Sequence, residues 1–455
     1  MADPSEATST VAHPEVEKEH GRGHIGLVVL GSITAGLILG LVLVFGVFGG
    51  GAESVITGSA LIALAFGMLM LFELARRRTD QPQPWALVPA LSIGVVGLAL
   101  VILGPSARVL GWLGWVWPVL LALVVVWSVR GARPSLHNWS RRALLYPALS
   151  VLALIALGGA FETVMEATTE NNPPAGGRTY VVAGRTLYLR CTGAGSPTVI
   201  LFNGLAERTP SWAWVQGDVA RNTRVCAFDR AGQGWSGKAP GRQDVHQLSA
   251  DVHGLLEAAD VPAPYVLAGH SVGGTYALGY AMDYPKDVAG VALIDSSTPY
   301  QFDLSGYSSF YSLWRRAGAL LPTLARAGVA RVYSLNTWAS LPPDARRAAR
   351  AFGSSPRELR ADRDEFAQLP TVFRQDKALT SLGGNPLFVL SGDVGELPGW
   401  FAAQEKLAGL STSVHQTAHS ATHAGLLEEE DYAAFSSRAI DAVVRSVRTG
   451  GPLTR

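Results

Sequence analysis

The sequence predicts an α-helical transmembrane bundle followed by an α/β domain built on a mostly parallel sheet. Three observations predict it. Five long uncharged runs crowd into the part of the chain that ends at Phe161. From Arg178 onward, short β-branched and apolar runs alternate with helical patterns, the order that lays parallel strands beneath covering helices. One strand-to-helix junction there reads Gly269-His270-Ser271-Val272-Gly273-Gly274, between the strand-like Tyr265–Ala268 and the helix-like Thr275–Met282. A serine on such a junction sits in a strained turn, and small residues two positions to either side let strand and helix pack closely. Its hydroxyl is then held clear of the sheet, and the N–H of Val272 points where an oxyanion would form.

The chain has 455 residues, enough for two or more domains. Its formal net charge of +1 gives no electrostatic reason to expect a nucleic-acid partner. Hydrophobic residues make up 48% and charged residues only 16%, too apolar a balance for one ordinary soluble protein. The apolar excess lies in the runs Ile25–Ala52, Ser54–Phe72, Gln81–Ala107, Val109–Val129 and Ala143–Phe161. A membrane-spanning helix needs about 20 mostly apolar residues, and each run supplies roughly that or more. Arg76–Arg78, the set Arg130, Arg133, Arg141 and Arg142, and the pair Lys18 and Arg22 fall on one side of five spans. Basic loops mark the cytoplasmic face, so the N-terminus is expected inside and everything after Phe161 outside. Trp112, Trp115 and Trp117 cluster near one end of the fourth span, as interfacial aromatics do. The spans hold almost no ionisable residue, which reads as an anchor rather than a transport path. Residues 1–24 read as a polar, disordered cytoplasmic tail, 25–161 as the transmembrane region and 162–177 as a linker broken at Asn171-Asn172-Pro173-Pro174.

In the remaining domain, 178–455, strands are expected at Arg178–Ala183, Leu187–Cys191, Val199–Asn203, Arg224–Phe228, Tyr265–Ala268, Val288–Asp295, Leu387–Ser391 and Ser413–Gln416. Helices are expected at Trp212–Asn222, His246–Ala259, Thr275–Tyr284, Trp400–Leu410 and Asp431–Thr449. The first two strands read as a hairpin turned at Gly184. Residues 298–378 interrupt the alternation with helical stretches at Leu313–Ala319, Leu321–Val332 and Pro343–Phe352.

From about Arg178 to Val447 the chain resembles the α/β-hydrolase superfamily. The resemblance rests on the elbow at Ser271, Asn203-Gly204-Leu205 after the third strand, Asp229-Arg230-Ala231-Gly232-Gln233-Gly234-Trp235-Ser236 after the fourth, and Gly273-Gly274 at the start of the elbow helix. It implies an eight-stranded, mostly parallel sheet with a helical cap at 298–378. Members that open epoxides or displace halide carry aspartate at the position of Ser271, so serine implies acyl transfer on esters, thioesters or amides.

The resemblance implies a site residue by residue. Ser271 is the nucleophile and needs a base. His423, in Ala421-Thr422-His423-Ala424-Gly425-Leu426 after the last strand, is that base, with His419 its rival. The acid that orients it is Asp393 after the seventh strand, the usual position; Asp295 at the end of the sixth strand and Glu396 are the alternatives. The oxyanion donors are the N–H groups of Val272 and Leu205; many members have His-Gly where this chain has Asn203-Gly204. Asp229 and Arg230 read as turn-forming. His415, His419 and His423 are evenly spaced, but their Ser-, Thr- and Ala-rich segment is a poor helix, so no metal and no cofactor are expected. Cys191 and Cys226 fall on the second and fourth strands, neighbours in the family's sheet, and a disulfide is expected in an exported domain. In the cap, Tyr300, Phe302, Tyr307, Phe310, Tyr311 and Trp314 either line an apolar acyl pocket or pack lid against body.

The expected function is a membrane-anchored serine hydrolase acting on a small-molecule or lipid-like acyl substrate, with the lipid bilayer as its other partner. The alternatives are an acyltransferase or peptidase on the same triad, or a transport or signalling protein whose hydrolase-like domain only binds.

Overall fold

The computed structural model describes residues 25–135, 139–169, 176–239 and 243–454. The expected tail 1–24 lies outside them. The N-terminal part consists of α1 (Ile25–Leu41), continued by a π-helical segment at Val42–Val47, then α2 (Glu53–Arg78), α3 (Leu87–Leu103), α4 (Ala107–Gly114), α5 (Trp117–Ser135) and α6 (Trp139–Thr169). Four helical stretches are long and apolar enough to cross a membrane: Ile25–Val47, Glu53–Arg78, Pro84–Leu103 and Leu145–Thr168. A fifth results if α4 and α5, bent by 51°, count as one span. Glycine sets how closely these helices approach: a Cβ on Gly58 of α2 would lie 2.6 Å from the Gly97 carbonyl of α3, and one on Gly97 only 2.9 Å from that of Gly58. The linker expected from residue 162 starts later, because Glu162–Thr169 continue α6 by two further turns. Glu162 and Glu166 are held there by partners from the other half of the molecule, Arg331 at 2.5 Å and Ser355 at 3.1 Å, contacts that no local pattern announces.

The second part is an eight-stranded mixed sheet: β1 (Gly177–Val182), β2 (Arg185–Thr192), β3 (Thr198–Phe202), β4 (Val225–Asp229), β5 (Tyr265–His270), β6 (Val288–Ile294), β7 (Leu387–Val394) and β8 (Ser413–Thr422). Their order is β1-β2-β4-β3-β5-β6-β7-β8. β2 runs antiparallel to both neighbours and the remaining pairs are parallel. Both faces are buried, as a parallel sheet requires. Ile200, Phe202 and Leu267 pack on one face with α8 (Val245–Ala258) and α9 (Val272–Asp283), while Val199, Leu201 and Val266 pack on the other with α7 (Ala213–Val219). That second face is shared with α17 (Glu430–Thr449), the last of three helices that close the chain after α15 (Trp400–Ala408) and α16 (Gly425–Glu428). Cys191 and Cys226 are register partners across β2 and β4 and are joined by a disulfide, their Cα atoms 4.0 Å apart.

Between β6 and β7 lie α10 (Tyr307–Gly318), α11 (Leu321–Arg326), α12 (Val329–Ser334), α13 (Pro343–Gly353) and α14 (Pro356–Asp376). The single helix expected over Leu321–Val332 is broken at Gly328, which adopts φ +77°, a conformation open to glycine at no steric cost. The longest cap helix, α14, was not expected. Nine of its 21 residues are charged and Pro370 lies inside it, so apolar periodicity is weak. The cap aromatics divide: Phe302, Tyr307 and Tyr311 pack against Phe373 and Phe366 of α14, whereas Tyr300, Phe310 and Trp314 are exposed.

Candidate active site

The site forms where β5, β6, β7 and β8 end, the edge at which open α/β sheets hold their ligands. Ser271 joins β5 to α9 with φ 55° and ψ −129°. That backbone conformation costs a residue bearing a Cβ on the order of 1–3 kcal/mol and persists only where the surroundings enforce it. Here the Ser271 N–H donates to the Ile294 carbonyl at 3.2 Å, and its carbonyl accepts from Gly274 at 3.0 Å and Ser297 at 2.9 Å. The flanking glycines are obligatory. A Cβ on Gly269 would lie 2.4 Å from the Gly273 carbonyl, one on Gly273 2.1 Å from the Phe202 carbonyl, and one on Gly274 1.9 Å from Ser296 Oγ.

His423 follows β8 directly, and its Nδ1 bonds Asp295 Oδ2 at 2.6 Å. The acid preferred from sequence is thereby corrected. Asp393 lies elsewhere, accepting from the His419 ring at 2.9 Å and the Ser420 N–H at 2.7 Å. The physical reason is strand geometry: β7 runs on to Val394, so Asp393 is paired with the exposed side of β8 instead of reaching over the sheet edge. His419 goes with it, away from Asp295. His415 takes a third set of partners, Glu405 and Ser391, so the evenly spaced histidines do not converge.

Asp295 is completely buried. Its Oδ1 accepts from the Gly392 N–H and from Trp400 Nε1, both at 3.1 Å. Burial disfavours its charge, yet the hydrogen bond and charge of His423, the charge of His270 and the Gly392 N–H outweigh it and hold the carboxyl below its ordinary range. An ionised carboxylate can only accept, so His423 Nδ1 carries the proton of this hydrogen bond and Nε2 is the nitrogen left facing away from Asp295. Glu396, the other alternative acid, brings a carboxyl oxygen within 4.8 Å of both Asp295 and His423. Burial first, and then the neighbouring Asp295 charge, raise it to about 8. Two carboxyls this close cannot both ionise cheaply, so Glu396 stays protonated at neutral pH and Asp295 bears the charge. As a linkage effect, the proton that Glu396 keeps in the fold and loses when unfolded makes its contribution to stability decline as pH rises from about 4.5 to about 8.

Sequence reasoning missed a buried pair beneath this site. His270 is fully buried; its Nδ1 bonds Glu207 at 2.5 Å and its Nε2 the His423 carbonyl at 2.9 Å. Both partners are acceptors, so both ring nitrogens donate and His270 is an imidazolium. Burial opposes that charge, but Glu207 lifts the histidine above its ordinary value. The rings of His270 and His423 lie 4.5 Å apart, which sets His423 beside the nucleophile turn. His270 is visible in the motif, but nothing local announces Glu207, a partner 63 positions away.

Among the described residues, Ser271 Oγ makes no hydrogen bond, a looseness common before substrate tightens such a site. The N–H groups of Val272 and Leu205 likewise have no partner in the protein among the described residues. Val272 opens α9, so its N–H is one of the donors a helix start leaves free. The Leu205 N–H is aimed indirectly. Arg230 donates to the carbonyls of Asn203 at 2.5 Å and Gly204 at 2.8 Å, and a trans peptide whose carbonyl is clamped on one side presents its N–H on the other. Asn203 itself holds the loop, donating to the Phe228 carbonyl at 2.6 Å and accepting from Trp212 Nε1 at 2.9 Å. Asp229 ties the next turn through Thr209 and Trp235.

Residues 197–429 match the family model described as alpha/beta hydrolase fold, and the chain belongs to that family. It is similar to the dihydrolipoyllysine-residue acetyltransferase component of the acetoin cleaving system of Pseudomonas putida, 36% identical over 26% of this chain and 31% of that one. A putative carbamate hydrolase of Azorhizobium caulinodans, RutD, is 29% identical over 24% of this chain and 40% of its own. The chain thus spans less than half the length of the curated relatives it matches first. Among solved structures, the Cif epoxide hydrolase of Acinetobacter nosocomialis covers 63% of this chain and 96% of its own, at 15% identity and a TM-score of 0.50, a likeness of fold.

Proposed function

We propose that the chain is a membrane-anchored serine hydrolase that cleaves an ester-type acyl bond through an acyl-enzyme. The observation that carries this reading is the bond from His423 Nδ1 to buried Asp295, set beside a serine held at φ 55° on the elbow. His423 Nε2 takes the proton from Ser271 Oγ as the oxygen attacks the acyl carbonyl. The oxyanion is held by the N–H groups of Val272 and Leu205, with the start of α9 contributing its dipole. Collapse expels the alcohol, which leaves with the proton from His423. Water, deprotonated by the same histidine, then attacks the acyl-serine and releases the acid and free Ser271. Relatives of this fold that use aspartate at the elbow form a different intermediate, and the serine here directs the chain to acyl chemistry. A panel of acyl esters, run with and without an alcohol acceptor, tests the reading. Hydrolysis that persists with the acceptor present is expected; acyl transfer to the acceptor in its place would reassign the chain as an acyltransferase, and no turnover of any acyl bond would reject both.

The membrane topology belongs to the same proposal. The α/β domain seats on those ends of the apolar helices that are poor in arginine, where Arg108 opens α4, through Phe45, Glu53, Gly114 and Glu162. Arg76–Arg78, Arg130 and Arg133 sit towards the other ends. This arrangement supports an extracytoplasmic hydrolase domain and a cytoplasmic N-terminus. A reporter active only in the cytoplasm, fused after Arg455, is expected to be silent; an active reporter would reverse the orientation or change the number of crossings.

A further inference from the structure

The cap turns its apolar surface the wrong way for a protein in water. On α10, Phe310, Leu313 and Trp314 are exposed at spacings of three and four residues, which places them on one stripe. On α12, Val329, Val332 and Tyr333 repeat the pattern, the last two 69% and 75% exposed. Amphipathic helices on a soluble lid bury that stripe and show the polar one. Here α10 packs Tyr307 and Tyr311 on α14 and still leaves its stripe outside, and the seat of the cap is polar: Arg326 of α11 and Arg360 of α14 pair with Glu53 at the start of α2, and Arg331 of α12 pairs with Glu162 of α6.

The position of this surface along the apolar helices says what covers it. The turn between α11 and α12 rests directly on α6: a Cβ on Gly158 would lie 2.3 Å from the Ala327 carbonyl, and one on Gly159 2.9 Å from that of Arg326. Gly158 lies inside the uncharged run Ala143–Phe161, beside the outward-facing Leu154, Leu157 and Phe161. Thr169 ends α6 about 16 Å further along the axis at 1.5 Å per residue. On the other side Thr323 bonds Thr57, one turn inside α2, at 2.8 Å. The cap therefore dips below the helix ends, and its exposed stripes continue the apolar outer surface of α6.

We propose that α10, α11 and α12 lie in the outer leaflet of the bilayer, their apolar stripes among the lipids at the boundary of headgroups and acyl chains. The proposal rests on the membrane-spanning reading above. Lipid is the occupant because the stripes are continuous with the apolar belt of the spans and are flanked by Arg315 and Arg316, placed against Gly49 and Gly50 at the helix ends as interfacial cations. Helices of this kind, apolar on one face and cationic at the rim, lie in the plane of the interface. Insertion puts the lid of the hydrolase site in contact with the leaflet from which an amphiphilic acyl substrate would arrive.

The test uses the full chain in phosphatidylcholine vesicles. Cys191 and Cys226 are disulfide-bonded, so an introduced cysteine is the only free thiol. Val332→Cys and Leu313→Cys, each carrying an environment-sensitive fluorophore, are compared with Leu157→Cys on α6 and Arg445→Cys on α17. The labels at 332 and 313 are expected to be quenched by shallow lipid-borne nitroxides nearly as strongly as that at 157, and by aqueous iodide several-fold less than that at 445. Iodide quenching equal to that at 445, with 157 still quenched from the lipid, would overturn the proposal and leave the spans standing. Shielding from both quenchers would overturn it in favour of a protein partner or second copy. Failure of the lipid quencher to reach 157 would remove the membrane reading and this proposal with it.

Discussion

Asp295→Asn is expected to lower turnover of an acyl ester by about four orders of magnitude, the loss seen when the acid of a serine-protease triad becomes an amide. The fold should survive, since the amide keeps an oxygen for the Gly392 and Trp400 donors that now serve Oδ1. What fails is the proton on His423 Nδ1. An amide nitrogen facing that atom favours the tautomer with the lone pair there and the proton on Nε2, where the base is needed. Asp393→Asn should change turnover by less than about threefold, because Asp393 pairs with exposed His419, and exposed ion pairs contribute only about 0–1 kcal/mol. Glu396→Gln should fall between them, since the amide resembles the protonated carboxyl that the site already holds. Steady-state kinetics on the three variants, with thermal unfolding to confirm the fold, decides the matter. A large loss from Asp393→Asn and a small one from Asp295→Asn would return the acid to β7.

Ser271→Ala is expected to reduce turnover by about 10⁶, the scale of single knockouts in groups that act as one unit. Because the unit fails together, Ser271→Ala combined with Asp295→Asn should be no slower than Ser271→Ala alone. A double variant slower by the product of the single effects would show that the two residues act independently, and the triad would have to be abandoned.

The distribution of what could be read from sequence follows from the range of the forces involved. The eight strands were legible because both faces of the sheet are buried, and the apolar runs are short and bounded by turn residues. Ser271 was legible because its conformation needs glycines at fixed offsets, a local requirement. The acid was not. Asp295, Asp393 and Glu396 all lie near the same sheet edge, and choosing among them depends on how far β7 and β8 extend. β8 runs to Thr422, six residues past the expected end, and this extension delivers His423 to Asp295 and His419 to Asp393. The oxyanion loop shows the same limit. Asn203 looked like a departure from the family's His-Gly, whereas it is held by Trp212 and Phe228 and backed by Arg230. The seat of the cap on α2 and α6 was beyond reach, since Glu53 meets Arg326 from 273 positions away and Glu162 meets Arg331 from 169.

Ser271 is proposed as the nucleophile of an acyl-transfer reaction. Its most direct test is to treat the full-length protein with a fluorophosphonate and locate the adduct by mass spectrometry of the digested chain. A single adduct on Ser271 is expected, lost in Ser271→Ala and much slower to form in Asp295→Asn. An adduct on another serine, or ester turnover that continues at full rate with Ser271 unmodified, would contradict it.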